Sequence, residues 1–210
     1  MVIRAVIFDI GGVLEITEPT GWGESWARRL DLSWAEIVAR LAATWEAGEL
    51  GAIDLAGIEC ETMALLGISE IEMRQFMSGL WTEYLGRLNR ELADYFASLR
   101  PRYRTGILSN SFVGARELEG EAYGFEELCD VVVYSHEEGL KKPDPRFYEV
   151  VLERLGVLAN EAVFVDDSPV FVEAARKLAM SGVVYIDNRQ VLAELEDCLG
   201  RARGGTRWTT

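Results

Sequence analysis

The chain has 210 residues, enough for one domain or for a core carrying a small insertion, and for a sizeable apolar interior. Hydrophobic residues make up 49% and charged residues 27%, an ordinary globular composition that excludes a wholly disordered chain. Lys plus Arg number 21 against 35 Asp plus Glu, and the formal net charge of −14 repels nucleic-acid backbones and anionic lipid.

The first strand is predicted at Ala5–Phe8, an apolar run that ends at Asp9 and is followed by Gly11-Gly12. This run is too short for a signal peptide, and no stretch reaches membrane-spanning length. Cys60, Cys129 and Cys198 lack both the spacing of a zinc site and the even count of a disulfide framework. A cytoplasmic protein without nucleic-acid or membrane partners is expected.

Residues 16–86 read as helical. Ser33-Trp34-Ala35-Glu36 is a capping box, followed by the stripe Trp34, Ile37, Val38, Leu41 and Trp45. Ser69-Glu70-Ile71-Glu72 is a second box, leading into Met73, Phe76, Met77, Leu80 and Trp81. This segment is predicted to be a small helical cap, inserted into a core made of residues 1–15 and 87–200. Five of the six tryptophans fall within it, most simply as its own core, with Trp22 or Trp26 facing a cleft as the alternative.

Further strands are predicted at Thr105–Leu108, Val131–Tyr134, Ala162–Val165 and Val183–Ile186, with no polar alternation, as in strands buried on both faces. Helices separate the later ones. One starts behind Asp144 and Pro145, another behind Ser168 and Pro169. Strand, helix, strand gives right-handed crossovers and a doubly wound parallel α/β sheet. The polar tail, residues 201–210, is expected to fray.

Ligands of such sheets bind beyond the carboxyl ends of the strands. Those ends are Asp9, Ser109-Asn110, Ser135, Asp166-Asp167 and Asp187. Adjacent acids repel unless a proton or a cation separates them, and hard oxygen ligands suit Mg²⁺. Asp167 alternatively caps the helix that follows. Lys142 precedes a helix N-terminus, where it either neutralises the acids and a bound anion or is an ordinary surface lysine, as Lys141 is expected to be. The Ser109 hydroxyl suits phosphate oxygens, assisted by the amides of a helix beginning near Ser111. His136, the single histidine, reads as a loop residue near the site.

Four stretches carry a family resemblance: Phe8-Asp9-Ile10-Gly11-Gly12-Val13-Leu14, Ile107-Leu108-Ser109-Asn110-Ser111, Gly139 to Pro145, and Val163-Phe164-Val165-Asp166-Asp167-Ser168. In this order the chain resembles the haloacid dehalogenase-like hydrolases, whose small helical cap falls where residues 16–86 fall. The resemblance implies a Rossmann-like core and a Mg²⁺-dependent phosphatase of a small phosphorylated metabolite. Asp9 would be the nucleophile and form an aspartyl-phosphate. Ser109, Asn110 and Lys142 would bind the phosphoryl group, and Asp9, the Gly11 carbonyl, Asp166 and Asp167 would hold the metal. The family's phosphatases usually carry a second Asp, as general acid and base, where this chain has Gly11. Two other readings follow: a 2-haloacid dehalogenase, against which the adjacent acids count, and a weakly active or non-catalytic module binding a phosphorylated ligand or a partner.

Overall fold

The computed structural model describes residues 2–200, so the tail expected to fray lies outside the described residues. Strand β1 (Ala5–Phe8) and the short β2 (Glu15–Ile16) are followed by helices α1 (Trp22–Leu30), α2 (Trp34–Glu49), α3 (Leu55–Leu66) and α4 (Glu70–Leu85). The chain continues through β3 (Arg87–Leu88), α5 (Arg90–Ser98), β4 (Arg104–Ser109), α6 (Ala115–Tyr123), α7 (Phe125–Leu128), β5 (Val131–Tyr134) and α8 (Ser135–Glu138). It ends with α9 (Pro145–Leu155), β6 (Ala162–Asp166), α10 (Pro169–Lys177), β7 (Ser181–Val184) and α11 (Asn188–Gly200). Among the described residues no helix is long and apolar enough to cross a membrane.

Five strands form one parallel sheet in the order β5-β4-β1-β6-β7, the doubly wound α/β architecture expected. Successive side chains of a strand face opposite sides. Accordingly Val6 and Phe8 enter an apolar cluster with Leu92, Phe96, Val191 and Leu195, while Ala5 and Ile7 enter another with Phe147, Val151 and Ala175. Helices on both faces explain why β1 reads as unbroken apolar sequence. Chain direction across the sheet reverses at β1, which opens a crevice at its carboxyl end.

Helices α1 to α4 pack around an apolar cluster of their own, built on Trp26, Ile37, Leu41, Met73 and Phe76. Both predicted capping boxes form, with Ser33 and Ser69 accepting from the Glu36 and Glu72 amides. Val38, placed in the apolar stripe by its spacing, is exposed. The segments entering and leaving this layer pair antiparallel as β2 and β3, Glu15 opposite Leu88 and Ile16 opposite Arg87.

Two elements differ from expectation. The last strand covers Ser181–Val184, two residues earlier than its β-branched residues suggest, because its register against β6 pairs Val163 with Ser181 and Asp166 with Val184. Ile186 is consequently exposed, and Asp187 accepts the Gln190 amide at the start of α11 instead of facing the site. The helix expected near Ser111 begins at Ala115, and the Ser111 amide donates to Ser135 Oγ at 2.9 Å. That amide is therefore committed to the fold.

Candidate active site

The register of β1 sets the geometry. Phe8 lies opposite both Ile107 and Val165, so the next residue, Asp9, emerges beside the ends of β4 and β6. Asp9 Oδ1 accepts the Ile10 amide at 2.8 Å and faces Lys142 Nζ at 2.8 Å. The same Nζ lies 2.7 Å from Asp166 Oδ2, with the lysine and Asp166 side chains wholly buried. Lys142 is no surface lysine: it bridges two carboxylates and lies over the rings of Phe164 and Phe171. Lys141 by contrast points outward to Glu49 and Glu46. Burial pushes the Asp9 carboxyl well above its ordinary range despite the pull of Lys142, and Asp166 adds to the rise.

Asp166 Oδ1 accepts the Ser168 amide at 2.8 Å, so the acid at the end of β6 also terminates the strand–helix turn. Ser168 itself makes no side-chain cap. Ligand oxygens of Asp9, Asp166 and Asp167 lie within 4.8 Å of one another. Three acidic oxygen donors against one lysine leave a negative surplus, and hard oxygens at this spacing fit Mg²⁺. Asp167 also fixes the turn opposite. Gly12 adopts φ +73°, and a Cβ there would lie 2.3 Å from Asp167 Oδ2, so only glycine fits. Gly11 differs, with an ordinary φ and no atom within 4 Å of a built Cβ.

Ser109, buried at the end of β4, lines a cavity of about 280 Å³ together with Gly11 and Asn110. Asn110 is spent on scaffolding. Its Oδ1 accepts the Lys142 amide at 2.7 Å and its Nδ2 donates to the Lys142 carbonyl at 3.0 Å. The side chain of Asn110, a residue expected among the phosphate binders, thus positions the lysine. Ser135 plays a similar part, donating to the Glu49 carbonyl and accepting from Ser111. His136 Nδ1 lies 2.7 Å from Ser111 Oγ.

Glu15 and Trp22 line the same cavity as Gly11. Glu15 is 2% exposed, its Oε1 has no partner, and burial together with Glu119 raises its carboxyl to about 9. Glu119 is fully buried, accepts a hydrogen bond from the Tyr134 hydroxyl, leaves Oε1 without a partner, and is raised by burial to about 7. Nothing in the sequence around Glu119 distinguishes it from its solvated acidic neighbours.

Both carboxyls hold a proton more tightly folded than unfolded, so the native state binds more protons between the ordinary carboxylate pKa and these raised values. The contribution of this pair to stability is fully present below about pH 4.5 and is lost as pH climbs through 7 towards 9. Glu119→Gln keeps the hydrogen-bond acceptor and removes the titration. Thermal melts should match the parent at pH 5 and exceed it by several degrees at pH 8. A variant melting lower at both pH values would refute a protonated pair.

A model of the haloacid dehalogenase-like hydrolases matches residues 3–178, and the chain belongs to that family. It is 31% identical over 191 residues, 86% of each chain, to phosphatase MT3486 of Mycobacterium tuberculosis (strain CDC 1551 / Oshkosh). It is 29% identical over 202 residues, 94% of this chain and 97% of the relative, to sesquiterpene phosphatase astK of Aspergillus oryzae (strain ATCC 42149 / RIB 40). A solved structure of the HAD family enzyme bt-2542 from Bacteroides thetaiotaomicron aligns at a TM-score of 0.80 and 20% identity, covering 92% of this chain and 99% of that one. The same enzyme in complex with magnesium and inorganic phosphate aligns at 0.76 and 21% identity, covering 90% and 98%. The chain is an enzyme, a hydrolase with phosphatase relatives.

Proposed function

We propose that this hydrolase is a magnesium-dependent phosphomonoesterase of a small phosphorylated metabolite, working through an aspartyl-phosphate on Asp9. The observation that carries the reading is the meeting of Asp9, Asp166 and Asp167 within 4.8 Å, around a buried lysine at the switch point of the sheet. Asp9 attacks phosphorus in line, the bond to the leaving-group oxygen breaks, and that oxygen carries the electron pair away. Water then attacks the same phosphorus, releasing phosphate and restoring the carboxylate. Lys142 offsets negative charge on the transferring group, and the Ser109 hydroxyl donates to one of its oxygens. Magnesium held by Asp9, Asp166, Asp167 and the Gly11 carbonyl would supply further positive charge there. The phosphatase names of two relatives aligned over most of their length, and the magnesium and phosphate complex of bt-2542, support the reading. The paired acids at the end of β6 count against a 2-haloacid dehalogenase.

The test is metal affinity. Asp166→Ala should weaken Mg²⁺ binding by tenfold or more in calorimetry and lower phosphatase turnover on the order of 10². Asp167→Asn, at a more exposed position, should show a smaller loss of the same kind without disturbing the Lys142 pair. Unchanged magnesium affinity in both variants would overturn the metal assignment. Chloride release from 2-chloropropionate in excess chelator would replace the phosphatase reading with a dehalogenase.

A further inference from the structure

Where the four-helix layer faces the end of β4, a second cavity of about 190 Å³ adjoins the first. Its walls are Trp45 from α2, Leu80, Trp81 and Tyr84 from α4, and Phe112 from the loop after β4. Leu80, Tyr84 and Asn110 line both cavities, so the aromatic one opens directly from the phosphate-binding strand end. An apolar cavity of about 150 Å³ holds a benzene ring.

Apart from the indole N–H groups of Trp45 and Trp81, its polar side chains are largely engaged by the protein. The Glu49 carboxylate pairs with Lys141 Nζ at 2.8 Å, and both ends of the Asn110 amide hold the Lys142 backbone. Ser111 Oγ lies 2.7 Å from His136 Nδ1, and Tyr84 lies against the buried Glu119. No lysine or arginine lines either cavity among the described residues, while Glu15, Glu49 and Glu83 do. A sugar entering the aromatic cavity would give up water at several hydroxyls with only the two indole N–H groups left to partner them, at a cost per stripped hydroxyl. A second phosphate or a carboxylate would meet the Glu49 and Glu83 carboxylates with no lysine or arginine to offset them. An apolar group loses nothing on entering and gains dispersion against aromatic walls.

We infer that the substrate carries a single phosphoryl group on an uncharged, apolar organic body, which lies between Trp45, Trp81 and Phe112. The inference rests on the phosphatase reading and names the class of substrate that reading leaves open. The sequence offers Trp22 or Trp26 as the cleft-facing alternative, and Trp22 does line the adjoining cavity; Trp45, Leu80 and Trp81 sit at helical spacing and read as interior.

Alkyl phosphates of rising length test it, since their leaving groups share one basicity and differ only in apolar surface. With the intact enzyme and Mg²⁺, kcat/KM should climb from ethyl through butyl to hexyl phosphate, by up to about fourfold per methylene where burial is complete. Glycerol phosphate should fall below butyl phosphate. Leu80→Asp, which places a charge in the cavity wall, should flatten the ladder. Binding is read independently on Asp9→Asn from the fluorescence of Trp45 and Trp81, titrated with the same esters and with inorganic phosphate. A rising ladder in turnover or in fluorescence, flattened by Leu80→Asp, supports the inference. Hydrolysis with no dependence on length, or with glycerol phosphate preferred, overturns it and leaves the phosphatase reading standing. A fluorescence ladder with no hydrolysis of these esters or of an aryl phosphate removes the phosphatase reading and keeps the apolar cavity.

Discussion

Asp9→Asn should abolish phosphate release, by a factor on the order of 10⁴ or more on an aryl phosphate. An amide of the same shape is a poor nucleophile, and no other carboxylate stands at the end of β1. The same substitution should leave stability unchanged or raise Tm. Asp9 is buried between a lysine and a second acid, and burial lifts its carboxyl well above the ordinary range, so the ionised form is held at a cost to the fold. In the variant, Lys142 keeps its 2.7 Å pair with Asp166, so no buried charge is left alone. Loss of activity with a retained or higher melting point separates a catalytic role from a structural one. Residual turnover within tenfold of the parent, on a folded variant, would remove Asp9 from the role.

How far the site was legible differs residue by residue, for physical reasons. Asp9, Ser109 and Asp166 each terminate an apolar run, and a parallel sheet gathers such termini at one edge. Strand pattern and polar punctuation therefore suffice to group them. Lys142 could be read two ways because burial is a tertiary fact; Asn110, one strand earlier in the chain, is what holds its backbone in place. Asp187 followed a β-branched run just as Asp166 did. Yet strand pairing, not composition, sets the register of β7 and carries Asp187 past the edge. Glu119 was invisible, since it lies in a helix rich in acids and its burial is set by tertiary packing, with Tyr134 of β5 donating to it. Trp45 and Trp81 satisfy helical periodicity equally well as core or as cavity wall. The division between the core and the four-helix layer was drawn at Glu15 and Ile16 from composition. The structure adds that these residues pair with the returning segment, so chain entry and exit are joined by backbone hydrogen bonds rather than by loose linkers.

Gly11→Asp should raise turnover on alkyl phosphates by one to three orders of magnitude and change aryl phosphates far less, since general acid–base catalysis contributes about 10²–10⁴. The parent has no carboxylate where the family's phosphatases usually place one. A leaving alkoxide must then depart unprotonated, so rate should fall steeply as leaving-group pKa rises, and aspartyl-phosphate should accumulate as a burst. Space does not forbid the substitution. A Cβ on Gly11 meets no atom within 4 Å and its φ is ordinary, whereas the same change at Gly12 would collide with Asp167. The competing donor is Glu15, which lines the same cavity and whose raised pKa, about 9, keeps it protonated at neutral pH. Plotting turnover against leaving-group pKa for the parent, Gly11→Asp and Glu15→Gln distinguishes the two. A steep parent slope, flattened by Gly11→Asp and untouched by Glu15→Gln, shows that the missing carboxylate limits the enzyme. A shallow parent slope that steepens in Glu15→Gln would assign the proton to Glu15, and Gly11 would then be a relocation of the acid rather than its loss.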